Sequence, residues 1–380
     1  MLIRIKIRII RIIYIKICYI IPEYNEETDS HFYHHYERLE KLSNRFDIFL
    51  IAEKGVPIKE LNLHMKQFYI QRFKFLPFRF LESFFIILRA RTLGYKNFYT
   101  HVSYIGAINA AIISRLFGGI SYYWNCAMNW IFKQRILPGW GYKLSMKLSH
   151  YLVTGSEEMK RGYAENYNLN PEKIKVMPNW INLDRFKPAK TQITKSKLQT
   201  ILFVHWLSKR KGADMITPIL KELVSNPKFK IINPKLIVVG EGPYKEKMLE
   251  EIKENKLEKF IELVGAVPNK DLAKYYAKAD LFIMPSMEEG FPRVLLEAMA
   301  MGIPYVASDV GAVREISPET AQRFLVKPGD IEMFVQKIEI LISDKDIYEQ
   351  FRKEELEKVK EYSLEKIINK FMNILSESTN

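Results

Sequence analysis

The sequence predicts an α/β protein of two doubly wound, Rossmann-like domains facing across a cleft. Three observations predict it. Short apolar runs alternate with helix-like stretches along most of the chain, the mark of a parallel sheet covered by helices. At 380 residues the chain exceeds what one core usually holds. Near residue 190 the composition turns polar, PAKTQITKSKLQT, with no apolar period, which marks a linker.

The elements follow in order. Ile3, Ile5, Ile7 and Ile9 alternate with Arg4, Lys6 and Arg8, a strand period. YIKICYII (14–21) is the first core strand, so residues 1–12 are a basic extension. No apolar run within residues 1–21 exceeds five residues. A signal peptide needs about 7–15 and a spanning helix about 20, so neither is expected. Thr28, Asp29 and Ser30 are good N-cap residues for a helix over HFYHHYERLEKLSNRF (31–46), and DIFLIAEK (47–54) is the next strand. NFYTHVSYIGAINAAIISRLFGG (97–119) reads as strand end, loop and a helix closed by a glycine pair. ISYYWNC (120–126) is a strand, and HYLVTGSEEMKRGYAENY (150–167) a strand, turn and helix. The alternation resumes from Thr200 to about Asp344, and YSLEKIINKFMNIL (362–375) forms a last helix. The domains are therefore 1–190 and 191–360, with 361–380 as a closing helix.

Composition excludes several classes. With 48% hydrophobic and 27% charged residues the chain is globular, and Cys18 and Cys126 supply neither a disulfide framework nor a metal-binding spacing. A reducing, cytoplasmic setting is expected. The net charge of +14 calls for an anionic partner. No zinc knuckle, helix-turn-helix or aromatic RNA-binding run is present, so nucleic acid is not expected. Residues 66–96 carry Lys66, Arg72, Lys74, Arg79, Arg89, Arg91 and Lys96, with eight phenylalanines and tyrosines before Gly94. Residues 128–147 add Trp130, Phe132, Lys133, Arg135, Trp140, Lys143 and Lys147. Cations beside bulky aromatics suit the headgroup boundary of an anionic membrane surface. The competing reading makes the aromatics core and the cations a solvated face.

The most informative stretch is PSMEEGFPRVLLEAMAMGIPYVASDVGAVREI (285–316). Glu289 and Glu297 flank a Gly290-Phe291-Pro292 turn that opens a helix of small residues. Such a turn leaves the N–H groups of Phe291, Arg293 and Val294 without intrahelical partners, at the positive end of the helix dipole. A diphosphate would suit that end, ribose hydroxyls would suit Glu297, and a sugar ring would suit Glu289. This segment resembles the E-x7-E signature of retaining glycosyltransferases of the GT-B fold, in particular glycosyltransferase family 4. LFVHWLSKRKGAD (202–214), LIVVGEGPYKEKM (236–248), IELVGAVPNKDLAKYYAKADLFIMPS (261–286) and KVMPNWINLDRFKP (175–188) resemble further stretches of that family in the right order. The resemblance covers roughly residues 14–375, and it makes the last helix one that crosses back onto the first domain.

The resemblance implies roles for particular residues. Lys211 matches the lysine that neutralises the donor diphosphate, and His101 matches the histidine over the donor sugar. Glu289 orients that sugar without acting as a nucleophile. Gly242 lines the nucleotide pocket beside Glu241, and Ala266 and Val267 stand where backbone groups hold the base. The family often has Gly-Arg where this chain has His205 and Trp206, which leaves Arg210 as the substitute cation. A glycine pair common in the first strand-helix loop is absent here. Contacts from that loop then fall to Thr28, Asp29, Ser30 and His31.

These matches imply retaining transfer of a hexosyl group from a UDP- or GDP-linked sugar, with no metal and no other cofactor. The acceptor is a lipid-linked or cell-surface polysaccharide or glycolipid, met by an enzyme lying peripherally on the inner face of the cell membrane. Two other readings stay open. One is another enzyme of this fold, such as a sugar-nucleotide epimerase or a phosphorylase. The other is a sugar-nucleotide-binding protein without turnover.

Overall fold

The computed structural model describes residues 15–24, 33–55, 65–128, 130, 136–188, 200–225 and 234–377. The basic extension, the first-loop residues Thr28, Asp29, Ser30 and His31, and the linker at 189–199 lie outside the described residues. By their contacts the described residues form two units. One holds residues up to Trp124 together with Gly141–His150; the other holds Asn125–Trp140 and everything from Tyr151 onward.

The first unit is built on β1 (Ile15–Ile21), β2 (Phe46–Ala52), β3 (Met65–Ile70), β4 (Asn97–His101) and β5 (Ile120–Trp124). Their order is β3-β2-β1-β4-β5, and every neighbouring pair is parallel. β2 and β4 are buried along their whole length, as parallel strands covered on both faces must be. The first helix, Tyr33–Ser43, ends sooner than expected and β2 begins sooner. Phe46 is 1% exposed and in register with Ile15, so its burial draws it into the sheet and out of the helix. The helix Tyr104–Phe117 is capped by Ser103, whose Oγ accepts the Gly106 N–H at 3.0 Å. Gly118 ends it at φ 78°, the conformation its expected glycine pair supplies. Two elements emerge from windows noted only for charge and aromatics: β3 with the helix Leu76–Thr92, and the helix Ile136–Leu148.

In the second unit β6 (Tyr151–Thr154) pairs in parallel with β7 (Ile174–Val176). Six more strands follow: β8 (Thr200–Val204), β9 (Lys235–Val239), β10 (Ile261–Gly265), β11 (Leu281–Met284), β12 (Tyr305–Ser308) and β13 (Leu325–Val326). They run in the order β10-β9-β8-β11-β12-β13. The last helix, Leu364–Glu377, buries Ile367, Ile368, Phe371, Ile374 and Leu375 along one stripe. Both strand orders reverse direction once, between β1 and β4 and between β8 and β11. Helices leave to opposite faces at such a point and open a crevice outside the carboxyl ends of the two strands. His101 ends β4, while His205 and Glu289 follow β8 and β11.

Candidate active site

Two turns bring the key side chains of the second unit together. After β8, Lys209–Lys211 form a single 3-10 turn that ends at Gly212, φ 72°. A Cβ on Gly212 would lie 2.0 Å from the Pro285 carbonyl, so only glycine lets this turn approach the loop after β11. The Met287 N–H donates to the Arg210 carbonyl at 3.0 Å and knits the two segments. Gly290 makes a similar approach, 2.1 Å from the Cys126 carbonyl to where its Cβ would be. The glycine after Glu289 therefore has a packing reason as well as the turn.

Glu289 is 6% exposed and one of its oxygens, Oε1, meets three donors. Lys211 Nζ lies at 2.7 Å, His205 Nε2 at 2.9 Å and Ser286 Oγ at 2.9 Å. The Trp206 N–H donates to His205 Nδ1 at 2.9 Å, which leaves the ring proton on Nε2, aimed at Glu289. Burial pushes the Glu289 carboxyl up, but the hydrogen bond from His205 and the charge and hydrogen bond of Lys211 outweigh it and hold it below the ordinary value. Burial in turn holds the His205 imidazole below its ordinary value, with Glu289 opposing and Lys211 and Arg210 adding to it. His205 is therefore a neutral donor near pH 7, and Lys211 is the cation that keeps Glu289 ionised. Lys211 is itself only 6% exposed. Arg210 turns to Glu288, Nη1 to Oε1 at 2.7 Å, with its own side chain 54% exposed. The other Glu288 oxygen is buried without a hydrogen-bond partner. A cavity of about 110 Å³ opens here, lined by Cys126, Met128, Arg210, Glu288 and Glu289.

The helix Arg293–Met301 follows, with Pro292 at its N-cap and no side chain capping it. Phe291 is buried, and its carbonyl accepts from Asn179 Nδ2 at 2.9 Å. The Arg293 guanidinium lies over the Trp180 ring at 4.9 Å. Val294, in the first turn, gives its carbonyl to the Tyr276 hydroxyl at 3.2 Å. Glu297 sits one turn in, 3% exposed, taking a hydrogen bond from the same hydroxyl at 3.0 Å. Burial pushes its carboxyl up, against Arg293, Tyr276 and Arg185. A buried acid of raised pKa favours a ligand that brings further hydrogen-bond donors.

Gly242 and its neighbours support the site from below. A Cβ on Gly242 would lie 2.3 Å from the Leu207 carbonyl, and one on Gly240 1.9 Å from that of His205. The Leu207 N–H donates to the Glu241 carbonyl at 2.8 Å. The GEGP turn thus clamps the loop that presents His205. Ala266, exposed, and Val267, half-buried, follow β10 at the same edge of the sheet. Among the described residues no group of three or more His, Cys, Asp and Glu is placed to hold a metal ion.

His101 belongs to the first unit. It is 5% exposed and stacks on Trp124, centroids 4.0 Å apart. The next residue, Val102, has φ 64°, a conformation that a β-branched side chain adopts only under constraint. Its N–H donates to the Trp124 carbonyl at 2.9 Å, and its carbonyl accepts from the Tyr123 hydroxyl at 3.0 Å.

The structure thus gathers Lys211, Glu289, Arg210, Gly290 and the opening of the Glu297 helix on one sheet edge, with Gly242, Ala266 and Val267 on the same edge. Sequence reasoning did not anticipate His205, Ser286 and Tyr276 as partners of the two glutamates. His205 was legible only as a departure from a pattern. Its place directly after β8, next to β11 in the sheet, was the signal that could have paired it with Glu289.

Residues 185–358 match the family model described as glycosyl transferases group 1. That segment carries the family's pattern. Among curated proteins, the chain is 25% identical over 240 residues to the phosphatidylinositol N-acetylglucosaminyltransferase gpi3 subunit of Schizosaccharomyces pombe, an alignment covering 63% of this chain and 46% of that one. It is 33% identical over 155 residues to the sulfoquinovosyl transferase SQD2 of Arabidopsis thaliana, covering 40% and 30%. The chain therefore spans less than half the length of either relative. Among solved structures, HepE of Anabaena in complex with UDP and glucose superposes with a TM-score of 0.76 at 17% identity, covering 96% of this chain and all of that one. The fold is that of the GT-B glycosyltransferases: two parallel-sheet, Rossmann-like α/β units.

Proposed function

We propose that this protein is a retaining, metal-independent glycosyltransferase that moves a hexosyl group from a UDP- or GDP-linked sugar to a lipid-linked or cell-surface glycan acceptor. The observation that carries the reading is the buried Lys211–Glu289 pair beside the uncapped helix opened by Gly290, Phe291 and Pro292. A fixed cation and helix N–H groups suit the charge that grows on a departing diphosphate, and preorganised electrostatics of this kind usually lowers a barrier more than any other single effect. They supply without a divalent ion what a metal supplies elsewhere. Glu289, ionised and held by three donors through Oε1, accepts hydroxyls of the donor sugar and sets its orientation. The held position of that oxygen is why it orients and does not attack. Glu297 takes the ribose hydroxyls. By the resemblance His101 acts on the donor sugar, and the leaving phosphate takes the acceptor proton on the face from which it departs. The acceptor is met at the inner face of the cell membrane. The matches to an N-acetylglucosaminyltransferase subunit and to a sulfoquinovosyl transferase support transfer of a sugar.

The test is a thermal-shift screen of the full chain against UDP-, GDP- and ADP-sugars, in EDTA and then in magnesium. Donor at a hundredfold its Kd adds about 2.7 kcal/mol of stability. The expected result is a shift by one nucleotide class that EDTA leaves unchanged, followed by transfer with the donor's anomeric configuration kept. Binding without turnover on any acceptor would favour the sugar-nucleotide-binding alternative.

A further inference from the structure

Six large apolar side chains of the first unit crowd into the start of one helix and the loop before it, and all are exposed: Phe73, Phe75, Leu76, Phe78, Leu81 and Phe85. They are six of the thirteen exposed large hydrophobic side chains among the described residues, so the patch is a concentration and not background. Phe78, Leu81 and Phe85 recur at the spacing of one helix stripe, while Phe73 and Phe75 fold onto Phe78 with centroids 5.7 and 5.5 Å apart. The loop is held there. The N–H groups of Arg72 and Phe73 both donate to the Glu82 carboxylate at 3.0–3.2 Å. Glu82 is thus engaged with the backbone, and Arg79 is paired with Glu53. That leaves Arg72 and Lys74 as exposed cations at one end of the ridge, while Arg89, further along the same helix, lies over the Tyr69 ring at 5.5 Å.

We infer that this ridge is the face by which the protein docks on a bilayer containing anionic lipid, with the rings seated at the headgroup boundary and Arg72 and Lys74 among the phosphates. Aromatic bodies edged by cations match that boundary in both polarity and charge. A second copy of the chain is the poorer occupant, because the acid of this stretch, Glu82, is engaged with the backbone and leaves no anion on the opposing copy to meet Arg72 and Lys74. The helix begins just after β3, so the ridge starts at the carboxyl edge of the first unit's sheet, the edge on which His101 ends β4. An acceptor anchored in that bilayer would be presented on the same side. No helix among the described residues is long and apolar enough to cross a membrane. The inference rests on the membrane part of the proposed function and not on the transfer chemistry.

The test is co-sedimentation of the full chain with vesicles of phosphatidylcholine alone and of equimolar phosphatidylcholine and phosphatidylglycerol, across a salt series. The expected result is binding to the anionic vesicles that weakens with salt. Each seated ring is worth at least about tenfold in partition. The variant F75S/F78S/F85S should therefore bind at least about a thousandfold more weakly, with an unchanged circular dichroism spectrum and an unchanged response to donor. Arg72→Glu with Lys74→Glu should remove most of the salt-sensitive part. Parental binding by the triple variant would overturn the assignment of this face alone. No binding of the parent to either vesicle would overturn the membrane reading and leave transfer untouched. A parental dimer that the triple variant abolishes would give the face to a second copy.

Discussion

Lys211 and His205 compete for one carboxylate oxygen, and this makes their variants distinguishable. Lys211→Ala removes the cation that keeps Glu289 ionised and that helps hold the neighbouring imidazole neutral. Turnover should fall by about 10²–10³-fold, the scale for loss of a preorganised electrostatic group. The small residual rate should rise as pH is lowered, because His205, relieved of the lysine, can protonate and stand in as the cation. Stopped-flow or single-turnover rates across pH 5–8 read this directly. Glu355 offers a second test, remote from the chemistry. It is fully buried, neither oxygen has a hydrogen-bond partner, and burial pushes its carboxyl well above the ordinary value despite Arg352. A raised folded-state value means the acid is folded in neutral form. Its contribution is present below the unfolded carboxylate's value and is lost as pH rises towards the folded one. Glu355→Gln removes that dependence. Relative to the parent, the variant should gain up to about 1.4 kcal/mol per pH unit above the unfolded value, and match it near pH 4. Denaturant titrations at pH 4, 6 and 8 would check it.

At the level of elements, the loops after β11 and β12 are fitted to each other through missing side chains. Gly311 has φ 53°, and a Cβ there would lie 1.7 Å from the Glu289 carbonyl, while the Ala312 N–H donates to the Gly290 carbonyl at 3.1 Å. Gly311→Ala should destabilise the protein by about 1–3 kcal/mol and displace Glu289, lowering kcat more than it raises KM for donor. Equilibrium unfolding and steady-state kinetics on the same variant separate the two effects. This kind of fit explains what was legible from residues alone. The strands of buried β-branched and aromatic residues, the helix closed by Gly118 and the turn before Arg293 all announce themselves locally. The helix Leu76–Thr92 did not, because its outer face is aromatic where a solvent-facing helix is polar, which blurs the 3.6-residue period. Phe46 looked like a helix end until pairing with Ile15 placed it in the sheet. In the site, Glu289 and Glu297 were legible through spacing and turn chemistry, and Lys211 through the family resemblance. His205 and Tyr276 were not, because each meets its partner only once the sheet has folded, and Ser286, though three residues from Glu289, is one of many serines until the turn aims it.

For the whole molecule, the residues we propose to hold the donor's nucleotide, on the carboxyl edge of β8–β12, all belong to one of the two units. Donor alone should then protect that unit's amides selectively. In hydrogen–deuterium exchange, saturating nucleotide should slow residues 205–212 and 288–297, and should leave β1 and β2 nearly unaffected. Uniform protection across both units would contradict a nucleotide site held by the second.

Val102 has a consequence for anyone trying to harden this protein. Its left-handed backbone costs about 1–2 kcal/mol, held by hydrogen bonds to Trp124 and Tyr123 on both of its polar atoms. A glycine there would relax the bend and also loosen the peptide that aims His101. Selection for survival at high temperature would therefore be drawn to position 102 and favour longevity over turnover. A library screened for heat resistance alone would enrich for the wrong phenotype, and one screened for product after heating would keep the valine.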